Sequence, residues 1–165
     1  MRSQHQAGTT FAPKGKTPVM EKTGKRFYLN MISAITNSGR LVFMVMDGNF
    51  NGGVFLKFLQ KLVRYSRQKV FMIADAHPAH IEKKVAHWIE EQKQEIELHF
   101  LPGYSPELNP DEYFNQDLKS NLAGKVRARN KEQLKVKVEA FTNKKRQNPQ
   151  KVKKYFHHKS VVYAG

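Results

Sequence analysis

The sequence predicts an α/β fold in which one mixed sheet, part antiparallel and part parallel, is flanked by helices. Three observations carry this. Two apolar runs, Phe27–Ile35 and Leu41–Met46, are joined by Asn37-Ser-Gly39, a tight-turn signal that makes them a β-hairpin. A strand-length run, Val70–Ala74, gives way to a helical pattern and then to the alternating Ile96-Glu-Leu-His-Phe-Leu101. A proline-punctuated loop then runs directly into a helix.

Taken in order, residues 1–23 are polar, with Gly8, Pro13, Gly15 and Pro18, and read as an extended loop with a short strand near Thr10–Ala12. After the hairpin, Phe55, Leu56, Leu59, Leu62 and Val63 recur at helical spacing, which predicts a helix of about three turns packed on the sheet. Val70–Ala74 follows that helix, so its pairing should be parallel. Ile81, Val85, Trp88 and Ile89 fall on one face and predict a second helix from Pro78 to about Lys93, with Trp88 in the core.

In Leu101-Pro-Gly-Tyr-Ser-Pro-Glu-Leu-Asn-Pro-Asp-Glu112, Pro102, Pro106 and Pro110 fix three φ angles and keep 103–109 out of the helical region. Asn109 suits the N-cap and Pro110 the first helical position. Glu112 falls third, where its side chain either closes a capping box or stands as a free carboxylate at a rigid helix entrance. Phe114, Leu118 and Leu122 form that helix's apolar stripe, and Glu112 lies off it. A last helix is expected over Lys131–Lys145 with Leu134, Val138 and Phe141 aligned.

A chain of 165 residues with 39% hydrophobic content is long enough for one domain with a core plus a tail. No apolar run approaches the roughly 18 residues of a membrane span and no secretory leader is evident, so a cytoplasmic protein is expected. The absence of cysteine excludes disulfides and thiolate metal sites, leaving oxygen and imidazole ligands. The net charge of +15 points to a polyanionic partner. From Lys119 onward, 14 Lys and Arg face only Glu132 and Glu139, so the basic end is the expected phosphate-contacting surface. It lacks the sustained apolar face of an interfacial helix, which favours nucleic acid over membrane.

Asp75 ends the Val70–Ala74 run, at the carboxyl end of a strand, where open sheets gather ligands. Asp75-Ala-His-Pro-Ala-His80 and Tyr104-Ser-Pro-Glu-Leu-Asn-Pro-Asp-Glu112, with 36 residues between Asp75 and Glu112, together resemble the DDE transposases of the mariner superfamily, specifically the bacterial insertion-sequence (six-thirty type) branch. Phe11-Ala-Pro-Lys-Gly-Lys-Thr-Pro18 and Gly24-Lys-Arg-Phe-Tyr-Leu-Asn30 resemble that branch too, so the likeness runs from about Arg2 to Leu122.

The resemblance implies a ribonuclease-H-like sheet, DNA strand cleavage and transfer in transposition, and transposon ends and target DNA as partners. It maps the second and third metal-binding carboxylates onto Asp75 and Glu112, with Mg²⁺ as cofactor and Mn²⁺ able to substitute. Hard cations of this kind take oxygen ligands. The chain departs from these relatives in Ala76, where asparagine is common, and in Phe114, where tryptophan is.

In relatives the first aspartate lies on a central first strand upstream of the segment matching Arg2–Pro18, and no such strand is evident here. The expectation is therefore a partial DDE endonuclease domain over 1–124 and a basic helical C-terminal extension over 125–165. A homo-oligomer or an upstream transposase fragment is the expected protein partner, and the fragment would supply the missing strand. The alternative is an inactive, basic DNA-binding remnant that interferes with or complements an intact transposase. Before Asp75 the only acids are Glu21 and Asp47, and Asp47, followed by Gly48-Asn-Phe-Asn51, reads as a turn residue before it reads as a substitute ligand. His77 and His80 form a His-x-x-His pair. With no third ligand evident, capping or DNA contact is preferred to zinc.

Overall fold

In the computed structural model, residues 27–103, 105–123 and 128–164 are described. The expectations placed on Thr10–Ala12, Phe11–Pro18, Glu21, Tyr104 and Gly124 lie outside them.

The hairpin forms as expected. Strand β1 (Asn30–Ile35) pairs antiparallel with β2 (Leu41–Met46), with Ser33 opposite Phe43. Between them Gly39 adopts φ +91°, a left-handed conformation open to glycine at little cost. Its missing side chain also admits Pro149, since a Cβ there would lie 2.6 Å from the Pro149 carbonyl oxygen. Phe27–Leu29 stands outside the regular strand, although Leu29 is buried.

Helix α1 (Gly52–Tyr65) starts where the Asn51 side chain accepts the Val54 N–H, and it buries Phe55, Phe58, Leu59 and Leu62. Strand β3 (Val70–Ala74) pairs in parallel with β4 (Ile96–Phe100), as a helix-separated pair should. The helix expected over Pro78–Lys93 is shorter and broken. A 3₁₀ turn, Pro78–His80, precedes α2 (Lys83–Glu91), and Ile81 between them is 57% exposed. One local and one long-range bond cause the break: His77 Nδ1 accepts the Ala79 N–H, and the Glu82 carboxylate is drawn away to the Gly52 N–H at the start of α1. An acid at that helix start also meets the positive end of the α1 dipole.

Beyond the loop, α3 (Pro110–Ala123) is followed by α4 (Lys131–Arg146) and α5 (Pro149–Lys153), and 3₁₀ turns close the chain. The Lys135-Val-Lys-Val138 alternation is overridden by the Asn130 cap, whose side chain accepts the Gln133 N–H, and by burial of Leu134 and Val138 on one helical face.

The hairpin is covered on both sides. Met31, Ile35, Leu41 and Val45 pack with Phe114, Leu118, Leu134, Val138 and Val152 of α3, α4 and α5. Ile32, Ala34, Val42 and Met44 face the opposite core of Phe55, Phe58, Leu59, Val85 and Ile96. Strand alternation thus makes the hairpin the middle layer of a helix–sheet–helix stack.

The two strand pairs remain separate two-stranded sheets among the described residues. A cleft of about 340 Å³ lies between them. It is lined by Met31 through Thr36 and by Val70 through Asp75 without interruption. Because consecutive residues alternate faces, an unbroken run means that the cleft meets the backbone edges of β1 and β3.

Candidate active site

Asp75 and Glu112 both line this cleft. Asp75 stands just past the last residue of β3, and Glu112 in the first turn of α3. The local sequence sets α3's start firmly. The Asn109 side chain accepts the Asp111 N–H at 3.0 Å, the Asn109 carbonyl accepts the Glu112 N–H, and the Asn109 N–H is itself taken by the Pro106 carbonyl. The capping box therefore does not form. Glu112 has no cap amide to bond, and its carboxylate accepts no hydrogen bond from another described residue.

Asp75 is 66% exposed, and its Oδ1 lies 2.9 Å from Nδ1 of His80, a ring only 10% exposed. The same Nδ1 is 2.8 Å from the Asp75 carbonyl oxygen. Burial holds the His80 imidazole below its usual pKa, against the upward pull of the Asp75 carbonyl and carboxylate. His77 and His80 belong to the cleft wall with Phe50, and His77 serves as the cap of the 3₁₀ turn.

Asp47 is placed elsewhere. It is absent from the cleft lining and pairs with Lys131 at 2.6 Å, whose hydrogen bond and charge hold its carboxyl below the usual range. The turn reading of Asp47 holds.

A third carboxylate in the cleft was not anticipated. Asp111, beside Glu112, is partly buried, with its Oδ1 shut off from solvent. Its Oδ2 accepts the Ser33 hydroxyl at 2.8 Å and the Asn115 amide at 3.3 Å, while Oδ1 has no partner. Burial, aided by the Glu112 charge, pushes its pKa up to about 6 against the Ser33 and Asn115 hydrogen bonds. The signal was present in the sequence: Asp111 stands three residues before Phe114 and seven before Leu118, on the apolar stripe itself.

Asp75 and Glu112 offer hard oxygen donors in one cleft, which suits Mg²⁺ or Mn²⁺ and not a soft metal. No three His, Cys, Asp or Glu among the described residues are grouped to hold an ion. Asp111 Oδ1, shut off from solvent and without a hydrogen-bond partner among the described residues, belongs to a residue of the same cleft lining.

A second hollow, about 570 Å³, is basic. Leu122 and Phe141 line it with Lys144, Lys145 and Lys151. Lys145 is engaged, its ammonium reaching Asp117 and the Tyr155 hydroxyl, which itself donates to Asp117 at 2.5 Å. No helix among the described residues is long and apolar enough to cross a membrane.

The layered α/β architecture is that of the ribonuclease-H-like catalytic domain. The chain belongs to the DDE superfamily endonuclease family, which matches residues 1–135. No curated protein sequence matches it. Among solved structures it is similar to the catalytic domain of Mos1 mariner transposase, with a TM-score of 0.58, 16% identity, and 88% of this chain and 78% of that one covered. The Mos1 catalytic domain solved with raltegravir and Mg gives a TM-score of 0.57 at 17% identity, covering 89% and 79%. The Mos1 strand transfer complex gives 0.60 at 18%, covering 97% of this chain and 50% of that one. At these identities the likeness shows the fold.

Proposed function

We propose that the chain is the catalytic region of a DNA transposase of the bacterial insertion-sequence branch, and that Asp75 and Glu112 hold Mg²⁺ for DNA strand cleavage and transfer. The observation that supports this most is the convergence on one cleft of two carboxylates far apart in sequence, one from a strand end and one from a rigid helix start. Bound divalent ions in such a site activate the attacking oxygen and steady the leaving one. The chain's own task is placement. β3 and the Pro102–Pro110 loop fix the two carboxylates, while the lysines of α4 and α5 offer charge to the phosphate backbone.

The third acid would arrive on a strand seated between β1 and β3, whose facing backbone edges border the cleft. That strand belongs to an upstream transposase segment, and the division into a catalytic region over 1–124 and a basic helical extension over 125–165 is part of the same proposal. A cytoplasmic, DNA-associated protein is the corresponding setting. The alternative reading is a basic DNA-binding remnant without catalysis that interferes with or complements an intact transposase.

The two readings separate in one assay. The chain, joined to a preceding strand that ends in aspartate, is tested for Mg²⁺-dependent nicking of DNA carrying element ends. Loss of nicking in Asp75→Ala and in Glu112→Ala supports catalysis. Nicking unaffected by either substitution leaves both acids structural.

A further inference from the structure

We propose that His80 is a positioning residue for Asp75, gripping the carboxylate by one oxygen and leaving the other to the cleft. This rests on Asp75 being a metal ligand. A carboxylate at an exposed strand end rotates freely unless something holds it, and Asp75 has two-thirds of its side chain exposed.

What holds it is a buried ring five residues further on. Nδ1 of His80 lies 2.8 Å from the Asp75 carbonyl oxygen and 2.9 Å from Asp75 Oδ1. Both are acceptors, so the hydrogen must sit on Nδ1, and the neutral tautomer is thereby fixed. The ring cannot easily turn away. Phe55 lies against it with centroids 4.2 Å apart, and Phe50 meets it edge-on at 5.4 Å.

The turn that returns His80 to Asp75 is itself locally encoded. His77 Nδ1 accepts the Ala79 N–H at 3.1 Å, Pro78 opens the 3₁₀ turn, and the His80 N–H bonds the His77 carbonyl at 2.8 Å. Asp75-Ala-His-Pro-Ala-His80 is thus one device, with a ligand at the front, a cap in the middle and a clamp at the end. Groups that orient a metal ligand typically change metal affinity about 10–100-fold when removed.

Two substitutions separate this role from simple packing. His80→Phe keeps an aromatic ring between Phe50 and Phe55 but removes the donor, whereas His80→Asn keeps a donor near the Nδ1 position and removes the ring. Mn²⁺ binding by the chain is followed by electron paramagnetic resonance, with thermal melting alongside. Positioning predicts affinity weakened roughly 10-fold or more in His80→Phe and recovered to within about 3-fold of wild type in His80→Asn. A packing role predicts the reverse, and that result overturns the proposal. Ring ¹⁵N shifts give a reading independent of metal: an Nδ1–H tautomer is expected, and an Nε2–H tautomer contradicts it. If Asp75→Asn binds Mn²⁺ as wild type does, the ligand reading of Asp75 falls and takes the proposal with it. If Asp75→Asn loses binding while His80→Phe does not, only the positioning role falls.

Discussion

Ser33 Oγ donates a 2.8 Å hydrogen bond to Asp111 Oδ2, joining the middle of β1 to the first turn of α3 across 78 positions of sequence. Through it the strand edge that borders the cleft and the helix that carries Glu112 are registered to each other. The bond is made to a carboxyl group whose other oxygen is buried without a partner.

Stability should therefore depend on pH through Asp111. Its folded pKa, about 6, lies above the unfolded value of 3.8, so the folded state holds the proton more tightly. Its favourable contribution is fully present below pH 3.8 and is lost as pH rises through 6, an effect of about 3 kcal/mol if nothing relaxes. Asp111→Asn, neutral throughout, should flatten that part of the profile and raise the melting temperature at pH 7–8. Thermal melts of both proteins from pH 4 to 8 check this, and parallel profiles would show that Asp111 does not ionise in the fold.

Gly39 answers two demands at once, a φ of +91° and close approach of Pro149. Gly39→Ala should cost about 1–3 kcal/mol from the backbone conformation alone, with the clash against the Pro149 carbonyl added. Urea denaturation measures it. A loss below about 0.5 kcal/mol would mean that the turn and α5 yield without strain.

Lys144 and Lys151 rim the basic hollow, while Lys145 is committed to Asp117 and Tyr155. If the first two contact DNA phosphates, replacing both by Ala should lower the slope of log affinity against log salt by up to about 2, leaving the fold intact. Lys145→Ala should instead lower the melting temperature, because it leaves a partly buried Asp117 without its ammonium partner. Fluorescence anisotropy over a salt series, paired with melts, distinguishes them.

The hairpin, the parallel pair and α3 were legible because each rests on local rules: the Asn37-Ser-Gly39 turn, the period of two in Ile96–Leu101, and the Asn109-Pro110 helix start. The break between His80 and α2 was not. It depends on Glu82 reaching Gly52, a contact between residues 30 apart that no periodicity encodes. Asp75 and Glu112 could be singled out by type and position, but their sharing of a cleft required the fold. Asp111 was overlooked because an acid on an apolar stripe reads as a helix-start residue until Ser33 is seen opposite it. Of the His77/His80 pair, which reads as capping or DNA-contacting before zinc-binding, His77 makes the cap and His80 bonds Asp75.

The sharing of one metal by Asp75 and Glu112 is tested most directly by paramagnetic broadening of backbone amides on titration with Mn²⁺. Amides around Asp75 and around Glu112 should broaden together at the lowest Mn²⁺ additions, and Asp75→Asn should relieve both sets at once. Broadening of one set alone, or of both independently of Asp75, would contradict a shared site.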